Sequence, residues 1–196
     1  MNYAEDPAIL GGIAELIAYL GYDPASEGLI DTPARVVRAY EEMTSGQSLD
    51  PTRHLKRTFP AEGTDHDEMI AVVGIEFVAV CEHHLLPFPG TATVAYKPNT
   101  GAPVVGLSKL ARLVEEYARR LTMQERITRQ VTDALDTHLD TAGSACILSS
   151  SHACMGFRGI RKPTARMVTS SLTGVFRDHP ETRAELLALA HNHPTP

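Results

Sequence analysis

Two helical stripes in tandem, bracketed on each side by a pair of β-rich runs, constrain the fold of this chain most. Leu107, Leu110, Ala111, Val114, Tyr117, Ala118 and Leu121 recur at offsets of three, four and seven, which predicts one buried stripe on a helix starting near Ser108. Thr122 then opens a second helix, with Met123, Ile127, Val131, Leu135 and Leu139 on its inner face. Upstream, residues 69–80 (MIAVVGIEFVAV) and 91–96 (TATVAY) read as antiparallel strands; downstream, residues 143–155 and 166–176 read as two more. The order strand, strand, helix, helix, strand, strand implies an α+β fold: an antiparallel four-stranded sheet with two long helices on one face. Both edges of such a sheet stay open unless a neighbour covers them, so subunit pairing is expected.

Helices flank this unit. Residues 7–20 carry apolar side chains at helical spacing, weakened by Gly11 and Gly12. A second helix begins at Asp31-Thr32-Pro33, with Thr32 as cap and Pro33 at the first helical position, and runs to about Met43. Residues 45–68 read as a connector and residues 178–190 as a last helix. The expected division is residues 1–65, a helical segment with its connector, and residues 66–196, the α+β domain.

A net charge of −6 argues against a general nucleic-acid or membrane-surface binder, which usually carries basic excess. No apolar run is long enough to span a bilayer, and the N-terminus lacks the basic region of a signal peptide. The cysteines, Cys81, Cys146 and Cys154, are odd in number and sparse, which points to a reducing cytoplasm with thiols free or on metal.

The run Cys81-Glu82-His83-His84 places a thiol, a carboxylate and two imidazoles side by side. Cys81 and His84 have C-x-x-H spacing, short enough for both to reach one ion, but zinc wants four ligands or three plus water. If residues 144–154 formed a regular strand, Cys146 and Cys154 would lie roughly 26 Å apart at about 3.3 Å per residue, and could not share an ion. Cys154 stands at the end of that run beside His152, whereas Cys146 sits deep in an apolar stretch as a small core residue. Cys81, His84 and Cys154 together leave one position open, the pattern of a catalytic zinc that binds and acidifies water. A structural zinc completed by His83 or His152 remains open at this point, as do three reduced thiols with no metal.

Cationic residues suggest an anionic ligand. Ser108, Lys109 and Arg112 open the long helix, and helix starts are natural phosphate sites. Arg158, Arg161, Lys162 and Arg166 follow with no acid among them; a phosphorylated substrate or a solvated surface loop would each account for them. Glu125 has two readings. Thr122-Met123-Gln124-Glu125 matches the T-x-x-E capping box, which local chemistry favours, and a carboxylate also suits the paired N–H donors of a guanine edge.

The stretches CEHHLLPFPGTATVAYKPN, VVGLSKLARLVEEYARRLTMQERITRQ and HACMGFRGIRKPTARMVTSSLTGVF together closely resemble GTP cyclohydrolase I over about residues 69–190. The resemblance implies hydrolytic opening of the five-membered ring of GTP, release of formate, and reclosure to 7,8-dihydroneopterin triphosphate, an entry to pterin and tetrahydrofolate synthesis. It implies the tunnelling fold in residues 66–196 as catalytic domain, and a homodecamer with sites between subunits. Carried over by position, Cys81, His84 and Cys154 resemble ligands of Zn2+, and His83 the acid/base group, with His152 assisting proton transfer. Glu125 falls where guanine is recognised, with Gln124 beside it, and Ser108, Lys109, Arg112 and Arg158 fall where the triphosphate is gripped. Another purine or pterin enzyme of the same fold, or a non-catalytic zinc-stabilised nucleotide-binding protein, are the competing readings.

Overall fold

Asp6 opens the first helix: its carboxylate accepts from the N–H groups of Ala8 and Ile9 at 2.9 and 3.4 Å, ahead of a proline that the first helical position tolerates. The computed structural model describes residues 6–60 and 68–191. The chain divides into two units, residues 1–45 and 46–196. The first unit is a helix pair, α1 (Pro7–Tyr19) and α2 (Thr32–Met43). Thr32 is the first helical residue, not the expected cap; Asp31 precedes it and pairs with Arg35 at 3.0 Å instead of capping.

Two 3-10 turns, Ser45–Ser48 and Pro51–Lys56, and the short strand β1 (Thr58–Phe59) follow, so the described part of the expected connector is ordered into elements; residues 61–67 lie outside the described residues. Then follow β2 (Ile70–Cys81), β3 (Pro87–Pro98), β4 (Val104–Val105), α3 (Leu107–Ala118), β5 (Leu121–Thr122) and α4 (Gln124–His138). The chain closes with β6 (Thr141–Ser150), α5 (Ala153–Gly156), β7 (Met167–Leu172), α6 (Gly174–Asp178) and α7 (Pro180–His191). Strands β1 and β4 pair with each other, and the main sheet has the order β5-β2-β3-β6-β7. Its four long strands are antiparallel neighbours in chain order, as the sequence rhythm implies. One correction is the fifth strand, β5, which joins the β2 edge in parallel through Val80↔Leu121 and Cys81↔Thr122.

Helices α3 and α4 cover one face. Leu110, Leu113, Val114, Tyr117 and Ala118 from α3, and Ile127, Val131 and Leu135 from α4, pack against Phe77, Ala79, Phe88, Val94 and Leu148 of the sheet. The stripe is shorter than its periodicity suggests. Leu107, in the open first turn of α3, is 63% exposed, and Leu121 is 46% exposed because the helix ends at Ala118 and Leu121 belongs to the edge strand. On the other face α6 and α7 contribute Phe176 and Leu186, which meet Ala95 and Ala145, a directly opposed pair of β3 and β6. The expected single last helix is therefore two, and residues 174–176 are helical where a strand was expected.

Gly74 decides which side of β2 faces α3 and α4. Its φ of 71° lies in the left-handed region, and the β2–β3 register shifts between Val72 and Ile75. Val72 packs on the helix-covered core before this bulge, and Ile75, Phe77, Ala79 and Cys81 do so after it. A regular strand cannot put even and odd positions on one face. The bulge thus delivers the Cys81 side chain to the buried side at the end of the strand.

Candidate metal centre and active site

The hairpin tip between β2 and β3 is built by three backbone hydrogen bonds. Cys81 N–H donates to Leu86 O at 2.9 Å, while the N–H groups of His84 and Leu85 donate to Cys81 O at 3.3 and 2.9 Å. Leu85 takes φ 55°, a conformation that costs a non-glycine residue roughly 1–2 kcal/mol. The turn folds His84 back, so that its Nδ1 lies 3.8 Å from Cys81 Sγ. From the other side β6 ends at Ser150, the Ser151 N–H still donates to Pro89 O at 3.1 Å, and α5 starts after His152. That change from strand to helical turn carries Cys154 to the hairpin tip. One ligand atom each from Cys81, His84 and Cys154 lies within 4.8 Å of the others.

The donor chemistry suits a divalent cation. Burial, followed by the neighbouring Cys81 sulfur, pushes the Cys154 thiol up from its ordinary value. Two sulfurs held together ionise readily only when a cation compensates them, and metal uptake does that while releasing their protons. Cys146 lies apart, fully buried in the core, where burial pushes its thiol far up. Cys81, His84 and Cys154 can therefore hold a divalent metal with two sulfurs and one imidazole.

His83 and His152 flank this set. His83 is exposed, with Nδ1 4.0 Å from Cys81 Sγ and its ring 6.4 Å from that of His84. His152 stacks on Phe88, centroids 4.4 Å apart and planes within 9°. Burial holds it below the ordinary imidazole value, with the Glu125 charge pulling the other way. Gln124 stands behind His152, fully buried. Its amide nitrogen donates to Leu148 O and Met167 O and meets Thr169 Oγ1, each at 3.1 Å. Two carbonyls facing the nitrogen fix the amide's orientation, so its oxygen accepts from Ser150 Oγ at 2.5 Å and from His152 Nε2 at 3.0 Å. An amide oxygen brings no proton, hence His152 carries one on Nε2. Gln124 was expected beside the guanine pocket; within this chain its amide is hydrogen-bonded to Leu148, Met167, Thr169, Ser150 and His152. Sequence reasoning had no signal for this role beyond the polar residue preceding Glu125.

Glu125 is exposed in the first turn of α4. The capping box does not form: Met123 is the cap residue, no side chain caps the helix, and Thr122 belongs to β5. The Glu125 carboxylate instead lines a polar groove of about 500 Å³ with Thr128, Arg129, Asp133, Thr169 and Ser171. Arg158 Nη1 approaches His84 Nε2 at 3.1 Å, which puts a cation at the rim of the metal set. Ser108, Lys109 and Arg112 lie in the first turns of α3, and no hydrogen bond or ion pair found among the described residues joins them to the metal set. Arg166 is held against β6, donating to Ser149 Oγ at 2.9 Å and Ser149 O at 3.0 Å.

The sequence profile of GTP cyclohydrolase I matches residues 9–191. This chain belongs to the GTP cyclohydrolase I family. Among relatives, GTP cyclohydrolase 1 of Thermobifida fusca is 46% identical over 185 residues, covering 94% of this chain and 88% of the relative. GTP cyclohydrolase 1 of Rhodopirellula baltica is 45% identical over 188 residues, with 96% and 80% covered, and that of a Synechococcus strain is 47% identical over 192 residues, with 97% and 81% covered. Membership in this family and the convergence of two cysteines with one histidine point to the same chemistry. No helix among the described residues is long and apolar enough to cross a membrane.

Proposed function

We propose that the protein is a zinc-dependent GTP cyclohydrolase. It opens the five-membered ring of GTP by hydrolysis, releases formate, and yields 7,8-dihydroneopterin triphosphate. The observation that carries this reading is the convergence of Cys81, His84 and Cys154 within 4.8 Å. Three protein ligands leave a position for water or substrate, as catalytic zinc requires. Zinc held there supplies Lewis acidity, making hydrolysis feasible near neutral pH.

The remaining steps fall to the side chains. His83, exposed beside the metal set, donates a proton to a nitrogen of the five-membered ring and so makes the carbon between the two nitrogens electrophilic. His152 assists, its ring plane held by Phe88 and its tautomer by Gln124. Glu125 accepts from the paired N–H donors of guanine, while Ser108, Lys109, Arg112 and Arg158 grip the triphosphate. Catalysis is assigned to the second unit, as a tunnelling fold that assembles into a homodecamer. One feature supports assembly: among the described residues the sheet ends on β5 and β7, edges that a second copy could extend. The odd and sparse set of cysteines supports a cytoplasmic setting.

The test is direct: incubate purified protein with GTP and zinc, oxidise the products, and measure neopterin fluorescence with formate. Formate and neopterin in equal amounts are expected. Tight GTP binding with neither product would make this a nucleotide-binding protein instead.

A further inference from the structure

Glu82 is the member of the Cys81–His84 run that neither the metal set nor proton transfer uses. Its carboxylate is forked onto Arg126: Nη1 donates to Oε2 at 2.5 Å and Nη2 to Oε1 at 3.1 Å. Arg126 follows Glu125 directly on α4. The backbone adds two links between the same segments. Glu82 N–H donates to Thr122 O at 3.2 Å, and Cys81 pairs with Thr122 across β2 and β5. The metal-bearing turn is thus tied to the segment that presents Glu125 by both main chain and side chain.

Two observations say what the tie is for. The Glu82 and Arg126 side chains are 28% and 42% exposed, where an ion pair adds little stability, yet the two-pronged geometry fixes orientation as a single contact would not. The turn also holds Leu85 in the left-handed region, so its shape needs support from outside.

We propose that the Glu82–Arg126 pair is a positioning clamp: it sets the spacing between the turn carrying Cys81, His83 and His84 and the helix start carrying Glu125. This rests on the reading of Glu125 as the guanine acceptor. A ligand held at Glu125 would then have its reacting carbon delivered to the metal turn at a fixed distance. Loosening the clamp spoils alignment in the transition state more than binding in the ground state, and misplacement by about 1 Å can cost on the order of 100-fold in rate.

The test uses Glu82→Gln, Arg126→Gln and the double variant in the full-length, zinc-loaded protein. Measured are kcat and KM for GTP, zinc affinity by chelator competition, and the thermal midpoint. Each single variant should lose about 10- to 100-fold in kcat, with KM and zinc affinity within about threefold of the parent. The double variant should lose no more than either single, because one interaction is removed either way. A kcat within about twofold of the parent in either single overturns the clamp. Multiplicative losses in the double, or zinc affinity falling in step with kcat, do so as well. Glu125→Ala, run alongside, should raise KM by about 10- to 100-fold. Normal GTP affinity with a lowered thermal midpoint in that variant would defeat the guanine assignment, a failure separate from any result at Glu82.

Discussion

His83→Ala should cost roughly 10²- to 10⁴-fold in kcat, the usual contribution of a positioned acid/base group, while the protein keeps its zinc. The geometry separates the two histidines of the turn. Both are exposed, but His84 Nδ1 is 3.8 Å from Cys81 Sγ and belongs to the convergent set with Cys154, whereas His83 lies outside that set. Neighbours in sequence, their rings stand 6.4 Å apart with planes 77° to one another. A proton carrier needs access to solvent, and His83 is exposed. The check is metal analysis beside single-turnover rates for the purified variant. Metal loss in His83→Ala would show that a ligand had been mistaken for the proton carrier.

Cys154→Ala should have the other large effect, a zinc affinity lowered by more than about 100-fold, the upper end of what losing an outer hydrogen-bond partner costs, with turnover falling alongside. Cys146→Ala is the matched control. Cys146 is fully buried among the residues packed under α3 and α4, so its replacement should leave zinc and turnover intact. Its loss of packing should reach no more than about 1–2 kcal/mol of stability. Competition with a chromogenic chelator for zinc, together with thermal unfolding, separates the two cysteines. Equal zinc affinity in Cys154→Ala and the parent would remove that sulfur from the ligand set.

The cluster of Cys81, His84 and Cys154 was legible because few alternatives existed. With three cysteines in the chain and one of them deep in an apolar run, C-x-x-H at residues 81–84 left Cys154 as the remaining sulfur. How Cys154 arrives was not legible. A regular strand over residues 144–154 would have carried it onward, whereas the strand stops at Ser150 and a four-residue helix turns it back to the hairpin tip. The two long helices and four long strands could be read from periodicity, since burial imposes it. Local signals failed where tertiary pairing overrode them. Thr122 and Glu125 form a capping box on paper, but Thr122 is taken by pairing with Cys81, and Glu125 is left facing a groove. The parity of β2 was hidden in one glycine, Gly74, whose bulge reverses which residues face inward. The enclosed amide of Gln124 and the Glu82–Arg126 pair depend on long-range neighbours, which spacing alone does not reveal.

X-ray absorption at the zinc edge of the loaded protein is the most direct measurement of the central claim. Two sulfurs at about 2.3 Å, one imidazole nitrogen at about 2.0 Å, and one exchangeable light atom that shifts when GTP is added are expected. A metal ringed by four side chains and unmoved by GTP, or a protein that takes up no metal at all, would contradict the account.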